Sequence, residues 1–316
     1  MDGPAEIFSF LTSGSRAGRR GALVTITGLS GPSPRSLGAH MAVLDDGRTA
    51  GTLSSGCVEA AISAEALVAI AEKRSRPLRF GTGSPFIDVR LPCGGGMDVL
   101  ISVDPPGDVL RDAADLLFAR SPAALSMDVV GNLSVAASTG TEETGWREDR
   151  FTVRHDPKLR ILVLGQGAEA LAMMELANAF GADAELHSPD RTLFGAIDER
   201  GFQYTKLLSI SEPAKLSADR WTAIAFLFHD HDWEIALLPS ALGTSSFWIG
   251  AMGSERTHAA RLTALSEQGI SKAGLARIAG PIGLIPASRD PATLALSALA
   301  EIVQEFGRLT RRPDSR

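Results

Sequence analysis

The sequence predicts an α/β protein with two domains: a mixed α/β domain over residues 1–155 and a Rossmann-like parallel-sheet domain over residues 156–306. A chain of 316 residues is long for one hydrophobic core, which favours two domains. Short β-rich runs alternate with helical patterns in the first half. In the second half, the apolar run 159–164 leads into a glycine-rich turn and a helical pattern, as at the start of a Rossmann fold.

Composition and charge argue against some classes of binding partner. Hydrophobic residues make up 44% of the chain and charged residues 22%, as is usual for a globular protein in water. A net charge of −6 provides no basic surface for nucleic acid. The N-terminus has no basic leader followed by an apolar segment, and no run approaches about 18 apolar residues. We therefore expect a cytoplasmic protein with neither a nucleic-acid nor a membrane partner.

Local patterns predict the elements of the first domain in chain order. A β-rich run at 22–27 predicts a strand that ends in the Gly- and Pro-rich loop 28–35. Alternating apolar residues, turn residues and helical spacing predict the following elements: a hairpin over 39–53, a helix over 58–74, strands over 77–80 and 97–103, a helix over 108–120 and a hairpin over 127–137. The polar segment 139–145 and the residues around 155 predict a domain boundary.

Two cysteines, the only ones in the chain, each lie in a glycine-rich loop of this domain. Cys57 follows Gly56 and precedes the predicted helix, whose N-terminal N–H groups favour a thiolate or a bound anion. Cys93 precedes Gly94-Gly95-Gly96, and these glycines, like Gly56, are expected to leave room beside the thiols. Without an export signal, reduced thiols are favoured over a disulfide. The alternative for each cysteine is a small buried apolar residue.

The second domain opens with a strand, a glycine turn, a helix and a second strand over 184–187. Gly165 and Gly167 would let a phosphate approach the helix N-terminus. The acidic residue that usually ends the second strand and binds ribose hydroxyls is replaced by Ser188, and Asp190 stands two positions later. This departure weakens the case for NAD(P), and a doubly wound domain without a dinucleotide is the alternative.

Two further strand patterns, over 223–228 and 246–251, end in polar loops. In a parallel sheet these exits and the Gly165 loop should face one crevice, which the loop 277–284 would close. The cluster His229-Asp230-His231-Asp232 resembles a metal site, but Trp233 and Glu234 stand where a binuclear hydrolase needs Asp and His, so polar loop contacts are favoured. A final helix is predicted over 291–306, followed by a flexible tail over 307–316.

The order of these motifs resembles the XdhC/CoxI family over roughly residues 15 to 303. The resemblance in the first domain is carried by Gly31, Pro34-Arg35, Gly38, Gly56-Cys57-Val58-Glu59, Pro92-Cys93-Gly94-Gly95 and Asp98. In the second domain it is carried by Leu164-Gly165-Gln166-Gly167, His229-Asp230-His231-Asp232, Ile249-Gly250-Ala251-Met252-Gly253-Ser254 and Pro281-Ile282-Gly283-Leu284.

The resemblance implies an accessory protein rather than a catalyst. Such a protein binds molybdenum cofactor in its molybdopterin form, protects it while the terminal sulfur ligand is installed, and delivers it to a molybdenum hydroxylase of the xanthine dehydrogenase type. A cysteine desulfurase would be a second partner, and a homodimer would shield the cofactor from water. The alternative function is an NAD(P)-dependent oxidoreductase that uses the Gly165-x-Gly167 loop.

The same resemblance assigns roles to individual residues. Cys57 and Cys93 are the candidate cofactor contacts, including contacts to molybdenum, and Gly56, Gly94 and Gly95 flank them. Arg35 would pair with the phosphate of the cofactor, although an exposed loop arginine is the alternative. The residues expected to line the phosphate or nucleotide crevice of the second domain are Gly165, Gly167, Ser254 and Arg256.

Overall fold

The computed structural model of the protein describes residues 3–54, 56, 58–84 and 94–310. The chain divides into two compact units, Met1–Pro157 and Lys158–Arg316. Within the described ranges, no helix is long and apolar enough to span a bilayer.

A five-stranded antiparallel sheet forms the centre of the first unit. Its strands are β1 (Gly21–Ser30), β2 (His40–Leu44), β3 (Thr49–Gly51), β4 (Arg76–Gly81) and β5 (Gly96–Val103), in the order β3-β2-β1-β5-β4. β1 lies in the middle, and its first seven residues are buried because both faces of the sheet are covered. These strands confirm the predicted ones, including the hairpin around residues 45–47.

Among the described residues, three helices cover this sheet: α1 (Pro4–Arg16), α2 (Glu59–Glu72) and α3 (Gly107–Phe118). Alternate residues of β1 point to opposite faces, so Leu23 packs in the core with α1 and α3, while Val24 packs in the core with α2. The helices α2 and α3 confirm predictions. α1 was not predicted, although Ile7, Phe8 and Leu11 bury one side of it.

A second antiparallel sheet completes the first unit. It contains β6 (Ala123–Asp128), β7 (Leu133–Ala137), β8 (Gly145–Arg147) and β9 (Arg150–His155), in the order β7-β6-β9-β8. β6 and β7 confirm the predicted hairpin. β8 and β9 were not predicted, because the polar residues 139–145 resemble a linker between domains. In the structure this polar segment connects β7 to β8 within the first unit.

The second unit is a six-stranded parallel sheet. Its strands are β10 (Arg160–Gly165), β11 (Asp183–Ser188), β12 (Gln203–Lys206), β13 (Thr222–Leu227), β14 (Trp248–Ala251) and β15 (Ile278–Ala279). Their order, β12-β11-β10-β13-β14-β15, is the strand order 3-2-1-4-5-6 of a Rossmann fold. The predicted Rossmann-like domain is confirmed.

Six helices accompany this sheet: α4 (Gly167–Phe180), α5 (Arg191–Glu199), α6 (His231–Leu242), α7 (Glu255–Glu267), α8 (Lys272–Leu275) and α9 (Pro291–Thr310). α4, α5 and α9 contribute to the core on one face, and α6 and α7 to the core on the other. α9 continues beyond the predicted end at 306, so residues 307–310 are helical rather than part of a tail. Residues 311–316 lie outside the described ranges.

Gly165 is required by strand packing at the point where β10 ends. A Cβ atom at this position would lie 2.6 Å from the carbonyl oxygen of Leu227, the partner residue on β13. Because that oxygen belongs to the backbone of the paired strand, it cannot move without disturbing the sheet. The glycine therefore has a packing role that does not depend on any ligand.

We predict that Gly165→Ala destabilises the protein by about 2 kcal/mol because the added methyl overpacks the β10–β13 contact. Gly195, inside α5, is a matched control, since no described atom lies within 4 Å of its Cβ position. Gly195→Ala should stabilise the protein by about 0.5–1 kcal/mol. Urea denaturation of both variants measures the difference, and equal effects would contradict the packing role.

Candidate functional site

The sequence-predicted site residues are distributed over both units. Arg35, Gly56, Gly94 and Gly95 lie in the first unit, and Gly165, Gly167, Ser254 and Arg256 in the second. The two candidate cofactor contacts, Cys57 and Cys93, lie outside the described residues. The geometry of the first site is therefore built from the residues that flank them.

The described flanks of both cysteine loops meet at one end of the five-stranded sheet. A small pocket there is lined from three segments: the loop after β1, Leu53 and Ser54 before the first cysteine, and Gly96 and Met97 after the second. The antiparallel register places Ser30 opposite Gly96, which brings the second loop beside the end of β1. The fold thus brings together the described flanks of two loops that are far apart in the chain.

An arginine–carboxylate pair holds this end of the sheet together. Arg79 on β4 donates from Nη1 to both carboxylate oxygens of Asp98 on β5, at 2.8 Å each. Its Nη2 donates to the Ser30 hydroxyl on β1 at 2.9 Å. One guanidinium therefore connects three neighbouring strands, and its planar geometry suits this set of acceptors.

The absence of a side chain at two glycines leaves the space that this ion pair occupies. A Cβ at Gly28 would lie 2.6 Å from Asp98 Oδ2, and a Cβ at Gly96 would lie 2.6 Å from Arg79 Nη2. Neither glycine therefore creates open space for a ligand. The expectation that the glycines make room beside the thiols fails for Gly96, which makes room for the guanidinium instead.

Hydrogen bonds from Thr82 hold the backbone of Gly94 and Gly95. The Thr82 hydroxyl donates to the Gly94 carbonyl at 3.0 Å, and the Thr82 N–H donates to the Gly95 carbonyl at 3.0 Å. A Cβ at Gly31 would lie 3.3 Å from Gly95 Cα, so the loop after β1 approaches Gly95 closely. Gly94 adopts a φ of +69°, and no described atom lies within 4 Å of its Cβ position.

Glu59, at the start of α2, closes the first cysteine loop. Its Oε1 accepts the Ser54 N–H at 2.7 Å, and its Oε2 accepts the Ser54 hydroxyl. Partial burial raises the pKa of Glu59, but the hydrogen bonds from Ser54 and the Gly56 backbone outweigh burial and lower it. The ionised carboxylate therefore joins the two ends of the loop, and Gly56, with a φ of +100°, turns within it.

Arg35 lies next to this region and lines a separate cavity of about 520 Å³ in the first unit. Its Nε and Nη2 atoms donate to the Thr52 hydroxyl at 3.1 and 2.6 Å. Within the described residues this partner is uncharged, so the guanidinium can pair with an incoming anion. Thr52 directly precedes Leu53, which lines the small pocket at the flank of the first cysteine loop. Arg35 therefore lines the cavity and also contacts the segment that leads into that loop.

Two buried histidines, which the sequence analysis did not single out, form the floor of the Arg35 cavity. His40 Nε2 and His155 Nε2 are 2.9 Å apart, and His40 Nδ1 lies 2.8 Å from the Thr25 hydroxyl. Burial, and secondarily the nearby His155, lower the pKa of His40 well below its usual value. The pair therefore links the two sheets, since His40 lies on β2 and His155 on β9. His40 resembles any other strand residue in the sequence, so no local signal identified it.

In the second unit, the exits of β13 and β14 face one crevice of about 660 Å³, as expected from the parallel sheet. His229, His231 and Ser254 line it, together with the loop 281–290. Gly165, Gly167 and the exposed Arg256 are absent from its lining. Glu169 also lines the crevice, and it lies in the first turn of α4, directly after the glycine loop.

Two carboxylates, those of Asp190 and Glu169, lie beside the glycine loop. The Gly167 N–H, which would face a pyrophosphate in a dinucleotide site, donates to Asp190 Oδ2 at 3.2 Å. Hydrogen bonds from Thr192 and from Gly167 lower the pKa of Asp190 despite some burial. Glu169 Oε2 lies 3.3 Å from His229 Nε2 across the β10–β13 switch point. A pyrophosphate at this loop would meet two carboxylates.

The described residues contain no group of three or more His, Cys, Asp or Glu side chains that could hold a metal ion. His229 and His231 in the second unit each pair with a glutamate, His229 with Glu169 and His231 with Glu234. Carboxylate partners fix the orientation of an imidazole and leave its other nitrogen to meet a ligand.

These features define a two-domain protein in which a Rossmann domain follows a mixed α/β domain with two converging glycine loops. Residues 15–81 match the model of the XdhC and CoxI family, and residues 161–302 match that of the XdhC Rossmann domain. The molybdenum cofactor insertion chaperone PaoD of Escherichia coli (strain K12) is 35% identical over 314 residues, covering 99% of this chain and 92% of PaoD. The chain belongs to the XdhC and CoxI family.

Two further relatives extend the comparison. The uncharacterized protein YqeB of Escherichia coli (strain K12) is 27% identical over 296 residues, which cover 90% of this chain and 43% of YqeB. A crystal structure described as a xanthine dehydrogenase from Bacillus halodurans has a TM-score of 0.78 at 18% identity, covering 99% of this chain and 98% of the other. The second similarity shows that the folds agree.

We predict that Glu59→Gln destabilises the protein at pH 7 by about 1 kcal/mol, because the amide cannot accept all of the hydrogen bonds that the carboxylate accepts. A carboxyl group with a lowered pKa contributes stability above its usual value of 4.5 and loses that contribution as the pH falls through the lowered value. The difference between wild type and variant should therefore shrink below about pH 4.5.

Urea denaturation between pH 3 and pH 7 checks this prediction. Glu143→Gln is the matched control, since Glu143 is exposed and pairs with Arg147 on the surface. The same destabilisation of Glu59→Gln at both ends of the pH range would show that the carboxylate charge has no role in closing the loop.

Proposed function

We propose that this protein is a molybdenum cofactor chaperone whose first domain holds the cofactor as cargo. It protects the cofactor during sulfuration and delivers it to a molybdenum hydroxylase of the xanthine dehydrogenase type. The proposal is supported by the similarity to PaoD over nearly the whole of both chains. The observation that carries it is the convergence of the described flanks of both cysteine loops on the loop after β1.

The residues of this region suit the chemistry of the cargo. Thiolates are soft ligands, and a molybdenum–dithiolene centre is a soft partner for them, so Cys57 and Cys93 are proposed to contact it. Arg35 is proposed to bind the phosphate, because its described partner is the neutral Thr52 hydroxyl. The N-terminus of α2 is the weaker phosphate site, because Glu59 already places a carboxylate there.

Sulfur delivery by a cysteine desulfurase belongs to the same proposal. Cys57 and Cys93 are flanked by glycines in the sequence, and a sulfur-donating partner is proposed to approach them at these positions. A homodimer would further shield the cargo from water. The alternative of an NAD(P)-dependent oxidoreductase is disfavoured by the Gly167 N–H, which donates to Asp190.

We predict that Cys57→Ser and Cys93→Ser each lower the molybdenum retained by the purified protein at least about tenfold, because a hydroxyl is a poor ligand for a soft metal centre. Arg35→Ala should lower retention about tenfold through loss of a charge-assisted phosphate contact. The control Arg147→Ala removes an exposed arginine of the same domain and should retain wild-type levels.

The measurement is molybdenum by mass spectrometry and pterin by fluorescence after oxidation, on protein purified from a molybdate-fed host. Retention of both molybdenum and pterin by the two serine variants, together with micromolar NADH binding, would overturn the proposal in favour of the oxidoreductase.

A further inference from the structure

The crevice of the second domain has the size and mixed character of a small-molecule site. Its volume of about 660 Å³ lies within the range of about 300–1,000 Å³ that is typical of ligand pockets. Met252, Ile282 and Leu294 provide an apolar side, and His231 and Arg289 provide nitrogen donors. A ligand that fits this lining has an apolar or heterocyclic body and a polar or charged end.

A buried ion pair lies directly behind His231. Glu234 on α6 is fully buried, and Arg261 on α7 is 3% exposed. Arg261 Nε donates to Glu234 Oε2 at 2.9 Å, and Oε1 of Glu234 has no hydrogen-bond partner among the described residues. Burying two charges is costly, and replacing such a pair by apolar residues of the same volume is often neutral or stabilising. The pair is therefore weak evidence for a stabilising role, and its contacts with the crevice offer another role.

This ion pair fixes both sides of the crevice. Glu234 Oε2 lies 3.0 Å from His231 Nδ1, which holds the imidazole by that nitrogen and leaves Nε2 for a ligand. Arg261 Nη2 donates to the Met252 carbonyl at 2.7 Å, which fixes the exit of β14. His231 is about half exposed, so its orientation depends on the buried carboxylate rather than on packing.

The lining of the crevice includes one guanidinium that is available to an anion. Arg289 is exposed and has no carboxylate partner in the part of the chain that the structure describes. Of the lining carboxylates, Glu169 pairs with His229, and Asp290 accepts the Thr293 N–H at the start of α9. Glu255 is the third, and it is exposed at the start of α7. Two of the three are therefore already engaged.

We propose that this crevice binds a phosphorylated heterocycle of mononucleotide size, with its phosphate on His231 and Arg289 and its ring against Met252, Ile282 and Leu294. His231 is a binding residue, and Glu234 is a positioning residue that acts through it. The site lies one strand away from the glycine loop, between the exits of β13 and β14. It does not depend on the cysteine loops of the first domain.

Isothermal titration calorimetry of the full chain with AMP, CMP, adenosine and inorganic phosphate tests this proposal. Binding of a mononucleotide should exceed that of inorganic phosphate and of adenosine, because the site contacts both parts of the ligand. His231→Asn should weaken mononucleotide binding at least about tenfold, and Arg289→Ala about fivefold. Arg308→Ala is the control in the same domain and should bind as wild type, since Arg308 on α9 is exposed and absent from the lining.

Glu234→Gln should weaken mononucleotide binding and also change the imidazole nitrogen chemical shifts of His231 in NMR spectra, which a purely structural role would not do. His231→Asn alters a half-exposed side chain and keeps the test valid if Glu234→Gln unfolds. Absence of mononucleotide binding at millimolar concentration, or unchanged binding in His231→Asn, would overturn the proposal. Cys57→Ser should leave mononucleotide binding intact, and His231→Asn should leave molybdenum retention intact, so the two proposals fail separately.

Discussion

The Arg79–Asp98 pair is the interaction on which the candidate site of the first domain depends. It joins β4, β5 and, through Ser30, the end of β1. It also requires glycine at positions 28 and 96, where any Cβ would collide with the carboxylate or the guanidinium. Thr82 continues the same network to the carbonyls of Gly94 and Gly95. These contacts hold residues 94–96 beside the end of β1, and Leu53 and Ser54 line the same small pocket.

Much of the fold could be predicted from the sequence because it is encoded in local patterns. The apolar run 159–164, the glycine turn and the following helix identified the Rossmann domain, whose strand order then follows from a general rule. β8 and β9 escaped prediction because their short strands follow a polar, glycine-containing segment. The role of Arg79 could not be predicted, since it arises only when three strands pair. The glycine motifs predicted space for a ligand, but Gly96 and Gly165 accommodate neighbouring protein atoms instead.

The candidate sites of the two domains differ in the chemical groups that they present. The first combines soft thiol loops with an arginine whose described partner is neutral, which suits a metal centre with a phosphate. The second retains the Rossmann topology but fills its glycine loop with the Asp190 carboxylate. Its open crevice lies instead at the exits of β13 and β14, where the buried Glu234–Arg261 pair orients His231. In this Rossmann domain the open crevice and the glycine loop therefore lie at different positions along the carboxyl edge of the sheet.

Hydrogen–deuterium exchange on the full chain, with and without bound molybdenum cofactor, tests the central claim most directly. Binding in the first domain predicts slower exchange in peptides that cover residues 28–35, 52–60 and 82–97, with residues 158–310 unchanged. Protection confined to residues 158–310 would contradict a cofactor site at the two cysteine loops.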